Sequence, residues 1–283
     1  MKRYFSGLFG LVFLLLFTGC VKKPEDVFSQ NSAERMDAAL QKASKALLNN
    51  KKGWIIKYFP DLEFGGFTIF ALFKSENEVT LTSDFGENEI TSSYAVLPEA
   101  GPLLTFNGYN KVINVFTEPG ADNGGIGNPD TGMKGDFEFV ILEVTDKKIT
   151  LKGKKTQNII VMEAIPDDKD PDEIAGEYRK ASEAFRAFQR FKVETAKGEK
   201  ALKRGLLDVG WFDQLELSTF QLPDDANSEL LSFRVTPGGL EFYKEYELEG
   251  ITFQQLSYVS PTAGYPLGYY TNDNKTIKIV AVE

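Results

Sequence analysis

The sequence predicts a mainly β (α+β) fold: an antiparallel β-meander, with a lipocalin-like barrel as its closed form, flanked by helices. One helix precedes the meander, and a long one follows it and leads to a second β-rich part. Three observations carry that expectation. From Trp54 to Ala164 the apolar residues fall in short aromatic and β-branched runs divided by turn residues, as strands do. Two other segments space their apolar residues by three and four behind a capping residue, as helices do. The composition, 42 % hydrophobic with 23 Phe and 11 Tyr against 26 % charged, supplies a large aromatic core in an ordinary globular balance.

The chain begins with a targeting pattern rather than with structure. Met1-Lys2-Arg3 is basic, Leu8 to Phe17 is apolar apart from Gly10, and Thr18-Gly19 is small, the layout of a secretory signal over residues 1–19. Its apolar part is about half the roughly 20 residues a bilayer-spanning helix needs, which argues against a permanent span. Cys20, the only cysteine, stands at the cut. Thr18-Gly19-Cys20 resembles the bacterial lipobox, in which the thiol takes palmitate-type acyl chains and becomes the mature N-terminus, although Phe17 departs from the usual Leu. At about 0.8 kcal/mol per buried methylene, several such chains anchor stably. The competing assignment, a buried free thiol, fits poorly with a position directly after a signal segment. Residues 20–30 then read as a lipidated tether. Its charged run, Lys22, Lys23, Glu25 and Asp26, resembles the surface-export signal of Bacteroidetes lipoproteins, with a plain solvated tether as the alternative. The expected location is the outer membrane, lipid-anchored and facing outward, or else facing the periplasm.

Residues 31–166 read as a helix plus the meander. Asn31 with Glu34 forms a capping box, and Met36, Leu40, Ala43 and Leu47 line one face up to the basic, glycine-ended stretch 49–53. Strands are expected at 54–59, 67–73, 79–83, 91–97, 103–106, 137–144, 149–153 and 159–164, with a short helix or turn at 110–116. Between them lies a glycine-rich loop, 117–135. Residues 167–283 read as a long helix and a β-rich part, packed on the first as one unit or standing apart. Asp170-Pro171-Asp172-Glu173 supplies an N-cap, a first-turn proline and acidic charge, and Ile174, Tyr178, Ala181, Phe185 and Phe188 form an apolar stripe running towards an end at Lys197-Gly198. Strands follow at 214–222, 230–235, 240–246 and 276–282, with turns at 237–239 and 272–274 and a loop at 265–270.

Charge and missing residue types exclude several functions. The chain carries −9, more once Lys2 and Arg3 are removed, so nucleic acid and anionic surfaces are unfavourable partners. It has no histidine, which rules out Ser-His-Asp and Cys-His catalysis and His-ligated zinc or haem iron. With Cys20 acylated, no thiolate or internal disulfide remains. Among 41 Asp and Glu the sequence singles out no facing pair for glycoside hydrolysis. A non-enzyme is expected.

Gly53-Trp54 with Tyr58 and Pro60, Gly65-Gly66-Phe67, Ser93-Tyr94, residues 101–106 (GPLLTF) with Tyr109-Asn110, residues 135–139 (GDFEF) and residues 151–155 (LKGKK) follow one another in a known order. On these motifs, spanning about residues 30–280, the chain resembles the DUF4302 lipoproteins of Bacteroidetes. It departs from them at Asn114, where the family commonly has histidine. The resemblance implies a surface or periplasmic lipoprotein of uncharacterised function, of a kind often accompanying outer-membrane nutrient-uptake systems; that is association, not mechanism.

Three candidate sites follow. Asp122, Asn123, Asp130 and Asp136 in and beside the glycine-rich loop are hard oxygen ligands suited to Ca²⁺, although such clusters are more often turns, and no other cofactor is expected. Lys152, Lys154 and Lys155 offer charge for an anion, or a solvated strand end. Trp211, Tyr265, Tyr269 and Tyr270 offer a stacking surface for a small molecule, glycan or peptide, or else cap the C-terminal core. The functional expectation is a non-catalytic binding protein accessory to an uptake complex, against a structural or adhesive surface lipoprotein with no small-molecule ligand.

Overall fold

The computed structural model describes residues 31–122, 124–209, 213–223 and 228–282. Cys20, Lys22, Lys23, Glu25, Asp26, Asn123 and Trp211 lie outside them. Among the described residues no helix is long and apolar enough to cross a membrane. The fold is mainly β and antiparallel, with a nine-stranded sheet and a closed barrel.

The first helix, α1 (Ser32–Asn49), starts on the expected capping box: the Glu34 amide donates to Asn31 Oδ1 at 2.9 Å, and the Asn31 amide to Glu34 Oε2 at 3.2 Å. Its C-terminal half is the buried half, through Ala43, Ala46 and Leu47. There the indole of the fully buried Trp54 donates to the Leu47 carbonyl at 3.2 Å, satisfying one of the acceptors a helix end leaves open.

Strands β1 (Trp54–Tyr58), β2 (Phe67–Phe73), β3 (Glu78–Ser83), β4 (Gly86–Ser93), β5 (Ala95–Pro98), β6 (Pro102–Thr105), β7 (Glu138–Val144), β8 (Lys148–Gly153) and β9 (Ile159–Ala164) form the sheet. Its order is β4-β3-β2-β1-β9-β8-β7-β6-β5, so the first strand pairs with the last and the seam falls between β4 and β5. The run expected as one strand at 91–97 divides at Tyr94, giving nine strands instead of eight. The Tyr94 ring packs edge-on at 4.7 Å from Phe73, and its hydroxyl donates to the Ser75 carbonyl at 2.9 Å. Chain beyond β6 stitches the seam: the Gly108 amide donates to Ser93 O at 3.2 Å, and Asn110 Nδ2 to Ile90 O at 2.9 Å. Asn110 also caps the short helix α2 (Lys111–Asn114). Asn114 Oδ1 accepts the Asn110 amide at 2.9 Å, so at this position the chain carries a turn-closing amide.

Helix α3 (Pro171–Arg186) begins as expected, with Asp170 accepting the Asp172 and Glu173 amides. Its end differs from the sequence expectation. The helix stops at Arg186, and residues 190–195, expected to be helical, form strand β10 (Arg190–Thr195). Phe188 and Phe191 continue a three-residue spacing, but Phe191 and Val193 alternate with Arg190 and Lys192, and pairing on both sides decides for a strand. β10 pairs with both β11 (Gly198–Val209) and β17 (Ile277–Val282). With β12 (Asp213–Gln221), β13 (Leu231–Thr236), β14 (Gly239–Leu248), β15 (Ile251–Val259) and β16 (Tyr269–Thr271) it closes the barrel. The closed barrel is thus the second β-rich part. Tyr269 and Tyr270, expected in a loop, lie on β16.

Side chains fill the barrel. Phe185 at the end of α3 plugs it, with ring centroids 5.0 Å from Phe191, 5.4 Å from Phe233 and 6.1 Å from Phe220. Above Phe185, at 4.5 Å, lies the buried Arg204 guanidinium, which donates to the Leu217, Phe188 and Glu216 carbonyls. Burial lowers the Arg204 pKa to about 10.

Sheet and barrel lie within the same compact unit, Met36–Glu283. α3 serves both: Tyr178 packs edge-on at 5.5 Å from Phe70 of β2, while Phe185 belongs to the barrel core. Leu217 of β12 completes the sheet's own core. Between them lies a buried polar joint. Arg234 donates to Thr68 Oγ1 at 2.9 Å and pairs with Glu241, which also takes Lys57 at 2.6 Å. Beside it Asp84 accepts the Thr68 amide and the Ser182 hydroxyl, each at 2.9 Å. Burial pushes the Asp84 carboxyl above the usual carboxylate range, against those two hydrogen bonds and the nearby arginines.

Candidate functional site

The three expected calcium ligands that lie among the described residues, Asp122, Asp130 and Asp136, are not gathered. Asp136 is buried, and its carboxylate caps the turn after β8, accepting the Lys155 amide at 2.7 Å, the Thr156 amide at 2.9 Å and the Thr156 hydroxyl at 2.6 Å. Asp122 and Asp130 are exposed. Among the described residues no three of Asp, Glu or Cys group as metal ligands would. The loop holds itself together: the Gly120 amide donates to the Asn128 carbonyl, Asn128 and Gly132 exchange backbone bonds, and Met133 is fully buried. Gly132 has φ 58°, and a Cβ there would collide with the Glu118 carbonyl, so close backbone approach accounts for that glycine.

Of the basic run, Lys154 is ion-paired, while Lys155 is exposed and has no ion pair among the described residues. Lys154 spans Glu99 at 2.9 Å and Glu138 at 3.2 Å.

The aromatic set divides. Tyr269 and Tyr270 are consecutive on β16 and therefore face opposite sides of the barrel wall. Tyr270 joins the interior, 5.9 Å from Phe185. Tyr269 lies outside, where Tyr265 from the β15–β16 connection packs beside it with ring centres 4.6 Å apart and planes inclined by 48°. Tyr265 is held by a two-way backbone exchange with Thr262 and by its hydroxyl, which donates to Glu194 Oε2 at 2.7 Å. Lys278 stands opposite Glu194 in the β10–β17 register. Its ammonium lies 4.5 Å from the Tyr265 ring centre and 5.2 Å from that of Tyr269, and it donates to the Tyr265 hydroxyl at 2.7 Å. That hydrogen bond raises the Lys278 pKa, so the shelf keeps its positive charge. Burial pushes the Glu194 carboxyl up, but hydrogen bonds from Lys192 and Tyr265 outweigh it and hold it below the usual range.

Glu194 and Lys278 also line an open recess of about 690 Å³ at the barrel end where the β10–β11, β14–β15 and β16–β17 turns meet. Two of its residues, Glu249 (φ 57°) and Lys275 (φ 55°), hold left-handed backbone conformations that side chains other than glycine adopt at a cost. The Glu249 carbonyl accepts Lys197 Nζ at 2.8 Å, and its carboxylate pairs with Lys200 at 2.6 Å. The result is a shallow wall of three lysines and two glutamates beside a pair of half-buried rings, which offers hydrogen-bonding groups and aromatic surface. Sequence reasoning missed Lys278, Glu194 and Glu249. The alternation Ile277-Lys278-Ile279 placed Lys278 outward, but reading residues 190–195 as helix hid the strand that carries Glu194.

An open nine-stranded sheet joined to a packed barrel with an external tyrosine–lysine shelf defines a mainly β, antiparallel protein. Residues 24–260 match the family described as "Domain of unknown function (DUF4302)", and the chain belongs to it. No curated protein matches the sequence. Among solved structures, a protein of unknown function from the DUF3598 family of Nostoc punctiforme aligns at 10 % identity over 84 % of this chain and 98 % of that one, with a TM-score of 0.21. A score that low carries no argument about fold or function.

Proposed function

We propose that the protein is a non-catalytic binding protein, lipid-anchored through Cys20 at the outer membrane and accessory to a nutrient-uptake system. It faces the cell surface if Lys22, Lys23, Glu25 and Asp26 act in export, and the periplasm if they are only a tether. Its ligand surface is the recess at the barrel end with the adjoining shelf. The observation that carries this is the placing of the Lys278 ammonium over Tyr265 and Tyr269 at the recess wall. Rings that offer a face, backed by a fixed cation and carboxylate, favour a polar ligand with flat apolar faces, such as a glycan or peptide.

Two measurements test the two halves separately. Cys20→Ala is expected to move the protein out of the membrane fraction and abolish acyl labelling; unchanged membrane association sinks the anchor. A thermal-shift screen over glycans and peptides is expected to give stabilising hits that Tyr269→Ala and Lys278→Ala remove. A blank broad panel supports instead a structural or adhesive surface protein.

A further inference from the structure

The opposite end of the barrel carries a second feature, independent of the recess. There α3 crosses the barrel mouth and leaves a cavity of about 190 Å³. Its larger wall residues include Phe188, Phe191, Val235, Tyr258, Leu267 and Tyr270. Four of the twelve lining residues are aromatic, and Tyr258 and Tyr270 stand 5.3 Å apart with their planes inclined by 49°. The inward faces of β10 and β16 supply Phe191 and Tyr270, so the cavity continues the barrel core rather than lying on its surface.

Two details distinguish it from a packing defect. The Tyr270 hydroxyl has no hydrogen-bond partner among the described residues, whereas Tyr58, Tyr94, Tyr246 and Tyr265 each engage theirs. The Tyr270 phenol is half-buried, so its hydroxyl is open to a bond from water or a ligand. The second detail is Gly268 on the rim, with φ 74°. A Cβ there would stand 2.6 Å from both the Tyr258 hydroxyl and the Val259 carbonyl, so only glycine lets the 260–268 connection pass this close to the mouth.

We propose that this cavity binds a single-ring aromatic ligand that carries a hydrogen-bond acceptor, the ring lying among the aromatic walls and the acceptor on the Tyr270 hydroxyl. The size sets the class: a cavity of about 150 Å³ lined by apolar side chains accommodates benzene, and drug-sized ligands need about 300 Å³ or more. The walls prefer a ring over an aliphatic group of equal volume through edge-to-face contacts. Burial raises the Tyr270 pKa, so the phenol keeps its proton and acts as donor.

The test uses the full-length chain with two probes, 4-fluoroacetophenone and fluorobenzene, followed by fluorine NMR. Both are expected to bind, the ketone with a dissociation constant on the order of 1 mM. Tyr270→Phe keeps the ring and removes the donor: it is expected to weaken the ketone by about three- to tenfold and leave fluorobenzene unchanged. Ala184→Trp, at an exposed position on the cavity rim, is expected to block both probes while leaving the unfolding temperature unchanged. Absence of binding by either probe, or binding that survives Ala184→Trp, overturns the site. Equal behaviour of the two probes on Tyr270→Phe overturns the role of the hydroxyl. A blank result in the recess screen has no bearing on either outcome.

Discussion

Replacing Arg234 by methionine tests whether the joint between sheet and barrel is held by charge. The Arg234 side chain is 3 % exposed, pairs with Glu241, and donates to Thr68 Oγ1 of β2 at 2.9 Å. Removing one partner of a buried pair costs about 3–5 kcal/mol, because the other charge stays buried and unpaired. Here Lys57 remains 2.6 Å from Glu241, which places the loss at the lower end. Among the described residues Arg234 Nε has no partner, so methionine also relieves a penalty of about 1 kcal/mol. The net expectation is a loss of about 2–3 kcal/mol, read as a fall in the urea midpoint of roughly 1 M at unchanged slope. The pH dependence sharpens the test. Burial pushes the Glu241 carboxyl up, yet Arg234 and Lys57 outweigh it and hold it below the usual glutamate value. A depressed carboxyl stabilises the fold above its unfolded pKa, and that stability is lost as pH falls through the folded pKa. Without Arg234 the folded pKa rises, so acid unfolding begins at a higher pH. A loss under about 1 kcal/mol, or an unmoved acid limb, refutes the assignment of this joint to charge.

The other two expectations concern Asp84 and Gly132. Asp84 is buried with a raised pKa, so the folded state binds its proton more tightly and stability falls as pH rises from the ordinary Asp value through the folded one. Asp84→Asn keeps an acceptor for the Thr68 amide and offers Nδ2 to Ser182, so it is expected to flatten that slope; a slope unchanged in urea titrations carried upward in pH from the ordinary Asp range counts against it. Gly132→Ala meets both a left-handed φ and the Glu118 carbonyl and is expected to cost about 2 kcal/mol or more, whereas a midpoint shift near zero would show that the loop yields.

What was legible followed from local signals. Asn31 with Glu34, Asp170-Pro171 and the Pro237-Gly238-Gly239 turn act where the sequence places them, because caps and tight turns are settled within four residues. The strands of the first sheet were legible for the same reason, since period-two runs between turn residues need no partner to be recognised. Three things were not. Phe188 and Phe191 fit a helical stripe and a strand equally, and only pairing with β11 and β17 decides between them. Tyr94 turns a single run into two strands because its ring enters the core, a tertiary event. The Lys57–Glu241–Arg234 joint unites positions 57 and 234, and no local spacing reports on a contact that distant. The aromatic surface was half legible: Tyr265 and Tyr269 meet, but strand alternation sends Tyr270 to the other face.

The residues that carry the family resemblance are architectural. Tyr58 donates to the Asp136 carbonyl at 2.9 Å, and a Cβ on Gly135 would stand 2.5 Å from the Tyr58 hydroxyl. Gly153 gives the Asp136 carboxylate room, and Asn110 closes the seam onto β4. Trp54 caps α1, and Gly66 donates to the Phe233 carbonyl at 2.8 Å, tying sheet to barrel. These motifs specify where the backbone approaches closely, and such demands tolerate few substitutes whatever the protein binds. The family match ends at residue 260, before Tyr265, Tyr269, Tyr270, Lys275 and Lys278. Part of each barrel-end feature, the recess with its shelf and the aromatic cavity, therefore stands on chain that the family assignment does not describe. Ligand preference has to be read from those side chains and measured on this protein, because a partner inherited through the shared motifs would rest on residues that hold the fold.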